Sequence, residues 1–489
     1  MNRWRAVSFL IGPLLGCLVG WLIPDGLIHA APEMLAAGVG ARVVAALLCW
    51  MSVWWAFEPI SIYATALLPL VVLPLFGIAT MSEVAQQYAN PLSVLFLGGF
   101  ILALALDRWK LHVRFSTIIL RRFGGSPRQI AFMVMALCAT TSMWISNTST
   151  TLMMLPIAAS ISEQLDSVYT DSKNHRIILV LGVAYASSIG GVATLVGSPP
   201  NAIAAAFLQN SLNTPIGFLE WMRVGVPVVV VMLPSAWFAL TSLIFPMPAI
   251  SGDECQKRLL SVLEAPRRMR QPELLVLIVF VGTALAWMLR GSIAGLTLFG
   301  QQPFMHLSDS GIAIASAFLL FVLPINRHCS SFLMDWGTAS KAPWGLFLLM
   351  GAGLSLAQSI QGSGLDQLIS RGAGVLIGFG VVMMLVLIVV MTVFLTEITS
   401  NTATTTMMLP IIVIISELHG GDASILIVPA AISSSFAFML PSATAPNALA
   451  YATGKVNSQE MLKAGFWLNC LGVVVLLLLF VPMLLLQNG

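Results

Sequence analysis

The chain has 489 residues, of which 58% are apolar and only 9% charged, with a mean hydropathy of +0.93. Soluble globular chains carry about a quarter charged residues, so this composition describes an integral membrane protein. It excludes a secreted disulfide scaffold, a nucleic-acid binder and a disordered chain, and a net charge of +3 points to no polyanionic partner.

Taken in order, the apolar stretches predict full spans at 7–24, 42–58, 60–78, 92–106, 177–208, 221–246, 273–291, 309–324, 343–358, 425–452 and 464–486. A membrane helix needs about 20 mostly apolar residues. The first span follows Met-Asn-Arg-Trp-Arg and ends without an A-x-A-like cleavage site, so it reads as a retained span rather than a leader. Two further apolar segments, 130–162 and 375–417, are interrupted by Ser/Asn/Thr clusters. The arms of the first, 130–145 and 149–162, would measure about 24 and 21 Å at 1.5 Å per residue. Neither crosses a core of about 30 Å, so both segments are expected to be re-entrant hairpins.

Orientation follows from the basic residues. With a cytoplasmic N-terminus and two hairpins, nineteen of the 23 Lys and Arg fall inside, and only Arg42, Arg223, Arg290 and Arg371 fall outside. This obeys the positive-inside rule and leaves the C-terminus outside. The stretch Arg108 to Arg128 alternates Leu111, Phe115, Ile118 and Ile119 with Lys110, Arg114 and Arg121 at helical spacing. It is expected to lie in the cytoplasmic interface and fix topology rather than recruit substrate. Residues 247–272 read as a cytoplasmic linker, dividing the chain into an N-terminal span and outer loop (1–41), a first repeat (42–246) and a second (273–489).

The repeats are visible as text. Ser146-Asn147-Thr148-Ser149-Thr150-Thr151-Leu152-Met153-Met154-Leu155-Pro156 recurs 254 residues later as Ser400-Asn401-Thr402-Ala403-Thr404-Thr405-Thr406-Met407-Met408-Leu409-Pro410, identical at nine of eleven positions. Gly197-Ser198-Pro199-Pro200-Asn201-Ala202 pairs with Ala443-Thr444-Ala445-Pro446-Asn447-Ala448 at an offset of 246. The expected topology makes the halves antiparallel across the membrane, the plan of a secondary transporter.

Each Ser-Asn-Thr cluster begins a helix in mid-membrane, so its free N–H groups and positive dipole end suit an anion. Hydroxyls add donors, while Asn oxygen and carbonyls freed at a break suit a hard cation such as Na+. The Pro-Asn elements break the spans 177–208 and 425–452 in the same way. No Lys, Arg or His lies in either tip or break, so anion charge must be balanced by dipoles, hydroxyls and bound cations. Glu397 is the acid near a tip, and reads as a structural carboxylate or a cation-site group; Glu58, Glu163 and Glu417 read as structural or interfacial. The six cysteines (17, 49, 138, 255, 329 and 470) and six histidines are scattered, without metal-ligand or redox spacing, so neither a cofactor nor an enzyme is expected.

With its paired Ser-Asn-Thr tips and its Gly-Ser-Pro-Pro-Asn and Ala-Thr-x-Pro-Asn breaks, the chain resembles the divalent anion/sodium symporter family from Glu58-Pro59-Ile60 to Ala450. The resemblance implies an all-α polytopic protein of about eleven spans plus two hairpins, in which a scaffold supports an elevator-type transport domain. It also implies a homodimer in the bacterial inner membrane carrying a C4-dicarboxylate with Na+. A Na+-independent dicarboxylate or citrate antiporter and a Na+:sulfate symporter are the alternatives within that family. Matching motifs would place one Na+ at Ser142, Ser146, Asn147 and Gly197, and a second at Thr396, Thr399, Asn401 and Ala443. Substrate carboxylates would meet Ser146, Asn147, Thr148, Ser198, Ser400, Asn401, Thr402 and Thr444. Ala445 stands where the family's second break usually carries its first Pro.

Overall fold

A computed structural model describes residues 3–23, 35–111, 114–115, 117–118, 126–166, 173–212, 214–247, 268–297, 301–325, 331–372, 380–418 and 424–487. Most of the basic stretch after Arg108 and most of the 247–272 linker lie outside them, as do Cys255 and Cys329. The fold is all helical: the described residues form no named strand, and one isolated bridge joins Pro324 to Phe332.

Helices α1 (Arg3–Leu22) and α2 (Leu35–Phe57) pack along each other. Residues 60–78 form not one span but α3 (Ile62–Thr65) and α4 (Leu68–Leu75), with Tyr88 Oη donating to the Ala66 carbonyl at the bend between them. Thr80 and Glu83 then close a capping box that starts α5 (Met81–Tyr88). Asn90 caps α6 (Pro91–Arg108), with Pro91 at the first helical position, where its missing N–H costs nothing.

The first interrupted segment forms α7 (Pro127–Ser142) and α8 (Asn147–Asp166) around a turn at 143–146. Next come α9 (Asn174–Gly191) and α10 (Pro199–Ser211), separated by an unwound stretch at 192–198. Helix α11 (Phe218–Phe238) runs on as a π-helical turn, Ala239–Ile244. The second half holds α12 (Gln271–Ala294), α13 (Asp309–Val322), α14 (Trp336–Ala339), α15 (Gly345–Gly362) and α16 (Leu365–Gly372). Its interrupted segment forms α17 (Val381–Leu395) and α18 (Asn401–Leu418). Then α19 (Ser424–Ser434) and α20 (Ala445–Ala452) flank a second unwound stretch at 435–444, and α21 (Ser458–Gln487) ends the described chain.

Six helices are long and apolar enough to cross a membrane, and six more apolar helices run 10–17 residues, counted among the described residues. The two interrupted segments and two broken helices therefore carry the backbone irregularity at membrane depth. Such irregularity survives only where protein or a polar cavity satisfies the freed groups.

The two halves interlock. Helix α9 packs against both arms of the first hairpin, α7 and α8, and α19 packs against both arms of the second, α17 and α18. Across the halves, α20 lies on α8 and α9, and α10 lies on α18 and α19. Gly190 permits the α7–α9 approach, because a Cβ there would stand 2.2 Å from the Ala139 carbonyl oxygen. Lys455 ties the end of α20 back to α8 through Glu163 at 3.1 Å. The Glu417 side chain lies outside the described residues. Outside this block, α6 packs along α13, and Arg114 pairs with Glu273 of α12 at 3.0 Å.

Candidate functional site

Both Ser-Asn-Thr tips and both Pro-Asn breaks face one cavity of about 450 Å³. Its wall holds Ser146, Asn147 and Thr148 from the first tip, and Ser400, Asn401 and Thr402 from the second. Gly197 and Ser198 come from the first break, Ala443 and Thr444 from the second. All eight residues expected to meet substrate thus border a single space. Pro199, Pro200, Ala445 and Pro446 of the breaks line it too, together with Phe100 of α6, Val196, Ser442 and Pro343, and sequence reasoning missed these last four. Phe100 and Pro343 carry no polar motif, so only the tertiary fold could reveal them.

Four helices begin at this cavity: α8 at Asn147, α18 at Asn401, α10 at Pro199 and α20 at Ala445. Each N-terminus leaves backbone N–H groups without intrahelical partners and carries about half a positive charge. No Lys, Arg, His, Asp or Glu lines the cavity among the described residues. Its electrostatics are therefore set by dipoles and hydroxyls.

The polar groups behind the wall repeat in pairs. Ser142 Oγ lies 2.6 Å from the Asn147 side-chain amide, and Thr396 Oγ1 lies 2.8 Å from Asn401 Oδ1. Thr151 Oγ1 donates to the Asn147 carbonyl and Thr405 Oγ1 to the Asn401 carbonyl, both at 2.8 Å. Thr151 also meets Ser187 Oγ at 3.1 Å, as Thr405 meets Ser434 Oγ at 2.6 Å. The Asn147 amide fits best with its nitrogen turned to Ser142 Oγ, the Ser187 carbonyl at 3.1 Å and the Gly197 carbonyl at 3.3 Å. Ser187 and Ser434 sit in apolar helices as Ser187-Ser188 and Ser433-Ser434-Ser435, a signal that could have marked them in the sequence.

The breaks are held by their asparagines. Asn201 Nδ2 donates to the carbonyls of Gly191 and Thr194 at 2.9 and 2.7 Å. Asn447 Nδ2 does the same to Ala437 and Leu440 at 2.9 and 3.0 Å. Each Asn thereby satisfies carbonyls that the unwound backbone has freed.

Not every expected residue has a free hydroxyl. Ser198 is buried, and its Oγ sits 3.1 Å from Ser435 Oγ across the halves. Thr444 Oγ1 accepts the Asn447 backbone N–H at 3.2 Å as the α20 cap. Ser142, Thr396 and Thr399 are buried behind the wall; Thr399 Oγ1 lies 3.0 Å from the Leu395 carbonyl and closer still to Thr404 Oγ1. Glu397 is also buried, and accepts hydrogen bonds from the Phe438, Met439 and Leu440 backbone N–H groups and from Asn469.

Comparison with known proteins matches this architecture. A sodium-dependent dicarboxylate transporter, SdcS, of Staphylococcus saprophyticus is 36% identical over 98% of this chain and 92% of its own length. The SdcS of Staphylococcus aureus strain bovine RF122 is 35% identical over 97% and 90%. Among solved structures, MtrF of Neisseria gonorrhoeae superposes with a TM-score of 0.62 over 98% of this chain and 94% of that one, at 13% identity. The YdaH transporter of Alcanivorax borkumensis gives 0.56 over 98% of both chains, again at 13% identity, so these two share the fold. Residues 17–486 match the sodium:sulfate symporter transmembrane region, and the chain is therefore a multi-pass membrane transporter of that family, the divalent anion/sodium symporters.

Proposed function

We propose that the chain carries a C4-dicarboxylate of the succinate, malate and fumarate class together with two or more Na+. The observation that supports this most is the convergence of four helix N-termini on a cavity without a charged lining residue. At about +0.5 each, they offer roughly two positive charges to a dianion. Co-bound cations would add to that field and couple the dianion to the Na+ gradient. Ser142, Ser146, Asn147 and the Gly197 carbonyl would hold one Na+, with Thr396, Thr399, Asn401 and the Ala443 carbonyl holding the other. Ser146, Asn147, Thr148, Ser198, Ser400, Asn401, Thr402 and Thr444 would receive the substrate carboxylates, Ser198 and Thr444 through backbone groups. The names of the staphylococcal relatives, both sodium-dependent dicarboxylate transporters, agree with this reading.

The interlocked block of hairpins and broken helices would move as the transport domain of an elevator against a scaffold containing α6, α12 and α13. It would work as a homodimer in the inner membrane, N-terminus cytoplasmic and C-terminus outside. Each net positive charge carried inward would gain about 2.3 kcal/mol per 100 mV.

Purified protein in liposomes tests the proposal. Uptake of labelled succinate should collapse when choline replaces Na+, and uptake that persists would instead indicate an exchanger. Asn147→Ala and Asn401→Ala each remove one amide facing both ligands. A buried polar contact contributes about 1 to 3 kcal/mol, so each variant should raise the Na+ and the succinate half-saturation about tenfold or more. Wild-type dependence on both ligands in folded variants would reject these assignments.

A further inference from the structure

We propose that the groove between the π-helical end of α11 and the start of α21 binds one anionic phospholipid, its acyl chain against Leu243 and Trp467 and its phosphate on Lys463, beside Arg128. Such binding requires only that the chain lies in a membrane, and is independent of what the central cavity carries.

The groove has a volume of about 460 Å³ and is apolar except at one end. On α21 it is lined by Lys463, Trp467, Leu471 and Val474, which follow one another at four, four and three residues and so share a helical face. From Lys463 to Val474 this stripe runs about 16 Å at 1.5 Å per residue, long enough to hold much of an acyl chain. The opposite wall carries Ala239 and Leu243 of the π-helical turn. Such a turn shifts its side chains out of the α-helical register, and π turns concentrate at functional sites. Leu243, Trp467 and Val474 are 68%, 57% and 51% exposed, so nothing among the described residues covers the groove.

Its charged end sets this groove apart from ordinary lipid-facing surface. Lys463 Nζ stands 5.9 Å from the centre of the Phe245 ring, directly after the π-helical turn. Two residues further on, the Met247 carbonyl accepts from Arg128 Nε at 3.2 Å and Nη2 at 2.7 Å. Trp237 Nε1 donates to the Arg128 carbonyl at 2.9 Å and so fixes that residue against α11. None of the ion pairs among the described residues includes Lys463 or Arg128. Two cations therefore meet on residues 245–247 without an acid to neutralise them. Both belong to the basic set that the charge distribution assigns to the cytoplasmic face, where anionic headgroups gather.

An anionic phospholipid satisfies both ends at once. Its chain would cover Leu243 and Trp467, while the long stem of Lys463 carries the ammonium up to the phosphate. A soluble anion gains little here, because the wall beyond Lys463 offers no hydroxyl or carboxamide side chain. A zwitterionic lipid brings an ammonium that two uncompensated cations repel.

The experiment reads tryptophan fluorescence of the full chain in phosphatidylcholine vesicles doped with lipid brominated on its acyl chains, which quenches indoles it touches. The part due to Trp467 is the difference between each protein and the same protein carrying Trp467→Phe. Brominated phosphatidylglycerol should quench that part at about tenfold lower mole fraction than brominated phosphatidylcholine. Lys463→Gln should cut this preference about fivefold, and Lys463→Arg should keep it. Lys463 is exposed, so both variants should fold. Equal quenching of the wild-type protein by the two lipids would make the groove ordinary lipid-facing surface. Quenching by neither would mean that protein covers it, as in a contact between copies of the chain. A preference that survives Lys463→Gln would remove the cation as headgroup ligand. Each of these three results overturns the inference.

Discussion

Asn201 and Asn447 perform the same task in opposite halves: each side-chain nitrogen bridges the two carbonyls lying ten and seven residues before it. An unwound segment in a bilayer has no water to satisfy those carbonyls, so the Asn amide replaces the helical N–H groups. The Pro-Asn pair is thus one device in two parts. Proline removes a donor from the start of the next helix, and asparagine returns two donors to the segment before it.

Replacing either Asn by Ala should leave two buried carbonyls short of a donor and cost about 1 to 3 kcal/mol for each uncompensated group. We expect Asn201→Ala and Asn447→Ala to lower the melting temperature of the purified protein by similar amounts, because the geometry is equivalent. A melting curve that matches wild type in either variant would show that the break is held by something else.

How far the sequence disclosed this site depends on the range of the interactions. The tips were legible because Ser-Asn-Thr recurs with its flanking Met-Met-Leu-Pro, and the helices restart at Asn147 and Asn401, within the clusters that marked them. The breaks were legible through Pro199-Pro200-Asn201 and Pro446-Asn447. Local caps were present but overlooked, such as Thr80 with Glu83, which makes a helix of residues 81–88. The partners of Glu397 were not legible, because they lie 41 to 72 residues away and three of them are backbone N–H groups that any sequence possesses. Ser198 looked available to substrate, yet its hydroxyl meets Ser435 237 residues away, a contact made only when the halves interlock.

Arg114 bears on the basic stretch after α6. Its guanidinium Nε sits 3.0 Å from Glu273 Oε2, and both side chains are mostly covered, so the charge is engaged in tying this stretch to α12. Arg114→Gln should leave the succinate half-saturation unchanged within about twofold while weakening a partly buried ion pair. A large rise in half-saturation with normal expression would assign the stretch to substrate recruitment.

Orientation is open to a direct chemical test. Lys173 and Arg223 are both exposed, and the charge distribution places them on opposite faces of the membrane. In a background without native cysteines, Lys173→Cys should react with an impermeant thiol reagent only from the cytoplasmic side, and Arg223→Cys only from outside. Labelling of both from one side would remove the inverted arrangement of the halves, since an odd number of crossings separates the two positions only if the helix broken at 192–198 traverses the membrane.

Ala445 offers a sharper test of how the second break is built. It is the first residue of α20, after the Thr444 cap, and it lines the cavity. Its first-half counterpart is Pro199, which opens α10 directly before Pro200. The first helical position suits proline, whose ring fixes a helical φ and whose absent N–H has no intrahelical partner there. As the first residue of the helix, Ala445 has an N–H with no intrahelical acceptor, so the ring would remove no helical hydrogen bond. A Pro-Pro pair does restrict the first of the two residues, but the Pro199-Pro200 start shows that this backbone accommodates it. Ala445→Pro should therefore fold normally and gain about 0.4 to 1 kcal/mol from the reduced freedom of the unfolded chain, seen as a small rise in melting temperature. Because the residue borders the cavity, the added ring should also alter the relative half-saturations for succinate, malate and fumarate while the Na+ half-saturation holds. A lower melting temperature would mean that the two breaks differ in backbone conformation at this position despite their shared asparagine bridges.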